Sequence, residues 1–324
     1  LGGFIGEKSE QLNWVRDRVE NWVAAIDEFA KVADRFPQSA YAGLQKSLQM
    51  EWQFLQRVTE SLSGEFQEIK QALQKKILPA LFGDLIPDNT PEQLAGLPVK
   101  KAGLAILNPI ESAKSNWMAS TVICGHLVAA IRGTVEFNST EHRDTMAAGK
   151  SEYKERNLTA AETKLNAILK ELPDGRSRTI KRGQKTGAWL SVLPSTVNGT
   201  ELSAQEFRDA LFMRYGIQPP DLPTKCDGCD ARFTLQHALG CKKGGLVIFR
   251  HNEIRDELIH LAGKALTPSA IRDEPLIRTG RTAAEKSNST PKSDNDNHSG
   301  EDERGDILLR GFWERGTECI VDVR

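Results

Sequence analysis

Cys226, Cys229, His237 and Cys241 are spaced C-x2-C-x7-H-x3-C inside CDGCDARFTLQHALGC. Thiolate sulfur and imidazole nitrogen are the donors zinc prefers, and four of them close a tetrahedral structural site. The spacing is short enough for one compact loop to present all four. The window therefore reads as a zinc knuckle holding Zn²⁺. The chain has five cysteines, and Cys124 and Cys319 lie outside the window with no obvious partner.

A second constellation lies in RGDILLRGFWERGTECIVDVR. Residues 306–310 and 318–322 read as two strands joined around Gly311–Gly316. A hairpin centred near position 314 sets Asp306 directly opposite Asp322. Cβ atoms of opposed residues lie ~4.5–5.5 Å apart. Carboxylates that close repel unless a cation lies between them, and hard oxygen donors suit Mg²⁺ or Mn²⁺. Arg324 follows Asp322 by two residues and so falls on the same face, where a cation would neutralise charge developing on a phosphate. The order D…D-x-R is that of a PD-(D/E)xK nuclease core, with Gly305 at the proline and Arg324 at the lysine. The same hairpin also reads as a solvated terminus carrying acids. A third metal-binding acid stays open among Glu253, Asp256, Glu257 and Glu274. His251 reads as a core or DNA contact and His260 as surface, since their spacing is not the i, i+4 of a metal pair.

The elements that must position these residues follow from apolar periodicity. Leu12, Val15, Val19, Trp22, Val23, Ile26 and Phe29 recur at three and four residues, so 10–36 is an amphipathic helix ended by Pro37. Tyr41 through Val58 repeats the pattern. Phe66 through Leu81 forms a third helix broken near Pro79, and a fourth covers about 111–132. Trp14, Trp22, Trp52 and Trp117 read as core rather than as a base-stacking platform. Residues 138–190 are polar and only partly periodic. Within them Arg176, Arg178, Lys181, Arg182 and Lys185 form either a solvated basic linker or an arm that contacts phosphates. Ser203 to Glu206 is a capping box opening a helix. After Cys241 the pattern reads as a short strand, GLVIF, then the helix HNEIRDELIHLAGKAL. Residues 279–303 are low-complexity and read as disordered.

The chain has 324 residues, 39% of them hydrophobic, and a net charge of −1. That length accommodates two to three domains. The charge gives no bulk basic field, so nucleic-acid contact must come from local patches. No apolar run approaches the ~18 residues of a membrane span, and no signal peptide is visible. An intracellular location, nuclear or cytoplasmic, follows. The chain opens at Leu1 and stops just past the strand-like ECIVDV, so it reads as a piece of a longer protein.

Several segments together resemble one family. LGGFIG, PQSAYAGLQKSLQMEWQFLQRV, LPALFG and LPVKKAGLAILNP resemble the post-palm stretch, thumb and connector of a non-LTR retrotransposon reverse transcriptase. GAWLSVLPSTVNGTELSAQEFRDALFMRYG resembles its linker. CDGC…HALGC, GGLVIFRHNEIRDEL and RGDILLRGFW…IVDVR resemble its zinc knuckle and restriction-like endonuclease. The expected fold is a multidomain α+β chain. It comprises a thumb-like N-terminal helical bundle over 1–135, a basic linker and helical segment over 136–220, and a zinc knuckle over 221–245. A truncated α/β restriction-endonuclease-like core follows over 246–324. The resemblance implies RNA-directed DNA synthesis and metal-dependent nicking of target DNA, with element RNA and target DNA as partners and no small-molecule substrate in this region. Lys225, Lys242, Lys243 and the 176–185 stretch would contact phosphates. The chain has no Tyr/Phe-x-Asp-Asp palm motif, and its His-to-Cys spacing is x3 where the family commonly has x4. A zinc-dependent binding module without chemistry, or a decayed remnant of the element, is the alternative.

Overall fold

The structure, a computed structural model, describes residues 2–60, 62–86, 88–243, 246–278 and 303–323. It is mostly helical with a small antiparallel sheet, a mixed α+β chain. It divides into two compact units, Leu1–Pro220 and Asp221–Arg324. The boundary expected at 135/136 thus falls inside the first unit, and the one at 220/221 coincides with the division. No helix among the described residues is long and apolar enough to cross a membrane.

In the first unit the apolar stripe of α1 (Lys8–Arg35) buries Val15, Val19, Trp22 and Ile26. Pro37 opens α2 (Pro37–Gly43), which continues through a π-helical turn into α3 (Gln49–Val58). A second such run is α4 (Gln67–Ala72), a π turn at Leu73–Ile77 and α5 (Leu78–Leu81). Pro79, expected to break this helix, lies in the first turn of α5 and is tolerated there. The widened turn before it relieves the clash a proline ring makes with the preceding turn. Trp22 and Trp52 are buried edge to face with centroids 6.1 Å apart, and Trp22 Nε1 donates to Glu51 Oε2 at 2.8 Å. Trp14 and Trp117 are half-buried, so none of the four forms an open stacking platform.

The connector from α6 (Thr90–Ala95) to α7 (Pro109–Ile131) is held by buried side chains. Tyr41 Oη donates to Leu104 O at 2.8 Å, and Gln49 bridges Ala105 O and the Leu107 amide. A Cβ on Gly103 would lie 1.8 Å from Leu97 O, so the chain crosses itself there only because the residue is glycine. Gly103→Ala is expected to destabilise the protein by about 3 kcal/mol or more, the upper end for overpacking a rigid site. A urea denaturation midpoint that stays unchanged would show the connector yields instead.

Helix α8 (Ser139–Glu171) is 33 residues long, where the sequence reads as a polar, partly periodic stretch. Its partner explains it. Gly149 lets α8 approach Ile123 of α7, and Tyr153 Oη donates to Asn116 Oδ1 at 2.6 Å. Asn116 in turn donates to Gln56 Oε1 of α3 at 2.7 Å, a buried polar chain linking three helices. The following helices α9 (Asp174–Gly183) and α10 (Ala204–Arg214) are equally integral. The Ser203–Glu206 capping box is present. Arg208 donates to Ala33 O and Asp34 O, the open carbonyls at the end of α1. Buried Arg214 donates to Gly183 O at 2.7 Å and Val99 O at 2.8 Å. Residues up to 220 are therefore packed parts of this unit rather than a linker.

The described residues of the second unit form α11 (Leu235–Gly240), α12 (Leu246–Ala265) and five short strands. Where a strand was expected at GLVIF, the chain from Leu246 onward is instead the first turn of α12. A short apolar run does not distinguish strand from helix, and this one continues directly into a strongly helical sequence. Strands β1 (Ile271–Asp273), β4 (Ile307–Arg310) and β5 (Glu318–Val321) form one antiparallel sheet in the order β1-β4-β5. Strands β2 (Leu276–Arg278) and β3 (Glu303–Arg304) pair with each other. Glu274 N donates to Asp306 O and Gly305 N to Pro275 O, both at 3.0 Å, so the pairing is continuous across the kink between β1 and β2. The low-complexity stretch follows β2 and precedes β3. All of it except Glu303, which lies in β3, falls outside the described residues.

Candidate metal centre and acidic hairpin

The cysteine–histidine window folds as two small devices facing each other. Lys225 and Arg232 form a β-bridge, with Cys226 N donating to Ala231 O at 2.9 Å and Asp230 N to Cys226 O at 2.8 Å. Asp230 sits in the left-handed region at φ 59°, which closes this turn and aims Cys226 and Cys229 the same way. Opposite, Thr234 caps α11 by accepting from the His237 amide, and Cys241 N donates to His237 O at 2.8 Å. His237 and Cys241 are thus one helical turn apart on one face.

The four ligand atoms lie within 4.8 Å of one another. Cys226 Sγ and Cys229 Sγ are each 3.8 Å from Cys241 Sγ, and Cys229 Sγ is 3.3 Å from His237 Nε2. Sulfur ligands ~2.3 Å from a tetrahedral centre lie ~3.8 Å apart, and a sulfur–nitrogen edge is ~3.6 Å. The quartet therefore has the size and donor set for one metal ion such as zinc. The Ala231 amide lowers the Cys229 thiol pKa, but burial and the neighbouring Cys226 and Cys241 thiols outweigh it and leave the thiol above its ordinary range. A bound cation removes that penalty.

The hairpin has the expected register. Ile307 pairs with Val321 and Arg310 with Glu318, which sets Asp306 opposite Asp322 one step beyond the ladder. Asp306 is held from several sides. Its Oδ2 accepts from Val323 N at 2.6 Å, and its Oδ1 lies 3.1 Å from His251 Nε2 on α12. The Val323 amide is the main cause holding the Asp306 carboxyl below its ordinary range. Burial opposes it, while His251 and a hydrogen bond with Asp322 assist. Gly305 fits where a Cβ would meet Ile320 Cγ2 at 2.6 Å. Arg324 lies outside the described residues.

None of the candidate third acids joins this pair. Glu274 Oε1 and Asp256 Oδ1 are taken by Arg255 at 2.8 and 2.9 Å, and Glu253 and Glu257 are exposed. Among the described residues, only the cysteine–histidine quartet gathers three or more such donors. The contribution of His251 to the Asp306 site was not legible in the sequence, because α12 and β4 are distant along the chain.

The basic stretch sorts by helical phase. Ser177, Ile180 and Gly183 face inward on α9, Arg178, Lys181 and Arg182 are exposed at i, i+3 and i+4, and Lys185 is exposed in the turn just past the helix. Arg176 lies on the other side, where it forms a two-pronged ion pair with Asp88 and donates to Tyr215 O at 2.9 Å. The Arg176 guanidinium holds the Asp88 carboxyl down to about 2. Arg176 is thus a tertiary tie, and the expectation that it contacts phosphate is corrected accordingly. Lys242 and Lys243 are exposed, and Lys225 pairs with Asp230 at 3.3 Å.

These features define a two-unit helical protein with a Cys₃His cluster and an acid-bearing β-hairpin. No family model, curated protein or solved structure matches the chain.

Proposed function

We propose that this chain is the C-terminal region of a non-LTR retrotransposon reverse transcriptase that binds element RNA and target DNA and nicks the DNA with Mg²⁺ or Mn²⁺. The observation that carries the reading is the opposition of Asp306 and Asp322, with Asp306 already fixed by Val323 and His251. Two carboxylates so placed fit a hard divalent ion. When bound, such an ion activates water and neutralises the scissile phosphate. Asp306 and Asp322 would hold it, and Arg324, two residues after Asp322 in the sequence, is the cation assigned to the phosphate. In the quartet, zinc is structural and fastens the loop that carries Lys242 and Lys243. The stripe Arg178, Lys181, Arg182 and Lys185 grips phosphates through charge alone. Nicking of supercoiled plasmid by the protein with Mg²⁺, lost in Asp306→Ala and Asp322→Ala, tests the reading.

The stripe has its own test. Lys181→Glu with Arg182→Glu is expected to weaken DNA and RNA binding and to flatten the salt dependence of log K by about 1 for each phosphate no longer bound. An unchanged salt slope in filter binding would leave α9 as a solvated face.

A binding module without chemistry is the second reading. It is favoured by one observation, that no third acid approaches Asp306 and Asp322 among the described residues. Metal-independent binding with no nicking would select it.

A further inference from the structure

We infer that His251 is a positioning residue for Asp306, whose Nε2–H fixes the carboxylate in the orientation that receives a divalent ion. This role rests on the nuclease reading. Carboxylate oxygens only accept, so the proton in the 3.1 Å contact between His251 Nε2 and Asp306 Oδ1 belongs to the imidazole. The other oxygen, Oδ2, accepts from Val323 N at 2.6 Å. With a donor on each oxygen the carboxylate plane is set, and a divalent ion between the two acids would replace the hydrogen bond that Asp306 makes with Asp322. The main chain is fixed as well, since Asp306 O accepts from Glu274 N at 3.0 Å. Glu274 adopts φ +44°, a left-handed conformation unusual for its type, and its side chain pairs with Arg255. Arg255 lies one helical turn after His251 on α12. The helix therefore contacts the acid strand through His251 and is anchored independently through Arg255, which also faces Asp256 and Asp273. Loss of the imidazole should leave the helix docked.

Hydrogen bonds to metal-binding groups set ligand orientation, and their removal weakens metal affinity ~10–100-fold. The test uses the zinc-loaded full chain and Mn²⁺ as the probe, followed by electron paramagnetic resonance. His251→Ala is expected to weaken Mn²⁺ binding within that range while zinc content and thermal midpoint hold. His251→Gln, which keeps an N–H near the same place, is expected to restore affinity to within a few-fold. In plasmid nicking, the loss should appear in the Mn²⁺ or Mg²⁺ concentration required and largely vanish at saturating metal. Folded His251→Ala protein that binds Mn²⁺ as the wild type does would overturn the inference alone. Direct ¹⁴N coupling to bound Mn²⁺ in electron spin-echo modulation would also overturn it, by making His251 a ligand. Wild-type protein that neither binds Mn²⁺ nor nicks DNA would remove the nuclease reading and the inference with it.

Discussion

Purified protein is expected to carry about one zinc ion per chain, and Cys226→Ser to lose it, as a site that closes only with four ligands requires. The supports of the knuckle are few apart from a metal. Helix α11 has six residues, far below the ~12–15 at which an isolated helix becomes stable in water. The facing turn has one β-bridge and contains a left-handed Asp230. Three sulfurs crowd one point, and the Cys229 thiol is pushed up in pKa by burial and by that crowding. A metal reverses the sign of this arrangement, because the thiolates then become its ligands. Apparent zinc affinities of zinc-finger peptides amount to ~10–16 kcal/mol, so chelation should unfold this segment outright. Hydrogen exchange would show amide protection at 226–241 collapsing with chelator. The core around Trp22 and Trp52 in the first unit, which contains none of the ligands, should keep its protection. Metal-free protein of equal stability, with the same exchange pattern, refutes the zinc assignment.

The quartet was legible in the sequence because all of its geometry is local: a two-residue spacer makes a turn, and His237 and Cys241 are one helical turn apart. The Asp306–Asp322 register was legible for a similar reason, since a single hairpin centred near position 314 fixes it. What the sequence hid depends on distant partners. Strands β1 and β2 lie in IRDEPLIR, whose pairing residues follow on the far side of the low-complexity stretch, and Pro275 in their midst argues against a strand. They tolerate it because Pro275 sits at the kink and offers its carbonyl to Gly305. Helix α8 carries polar residues around most of its circumference and is ordered along α7 by Gly149 and Tyr153. Five basic residues in one run look alike until a helix assigns Arg176 to Asp88 and the other four to solvent. Composition marks charge, and only helical phase says which charges are already used.

Asp306→Ala and Asp322→Ala are each expected to lower metal-dependent plasmid nicking by on the order of 10²–10³-fold, the loss typical of removing one preorganised electrostatic group. The two substitutions should differ in a second respect. The Asp306 carboxylate is tied to Val323 N and His251, so it also organises the end of the sheet. Its removal leaves the Val323 N–H and the His251 Nε2–H without their acceptor, at a cost of about 1–3 kcal/mol for buried donors and less where water reaches them. Asp322 is exposed and its hydrogen bond with Asp306 competes with water, so Asp322→Ala should lower the thermal midpoint less than Asp306→Ala while activity falls as far. Asp306→Asn separates the two effects, because it keeps an oxygen to accept from Val323 but lacks the charge a divalent ion needs. It should recover stability and not nicking. DNA affinity should hold in all three, since the basic stripe on α9 and Lys242 and Lys243 lie elsewhere in the chain. Nicking that persists in Asp322→Ala would place the chemistry outside this hairpin and leave the acids as a structural pair.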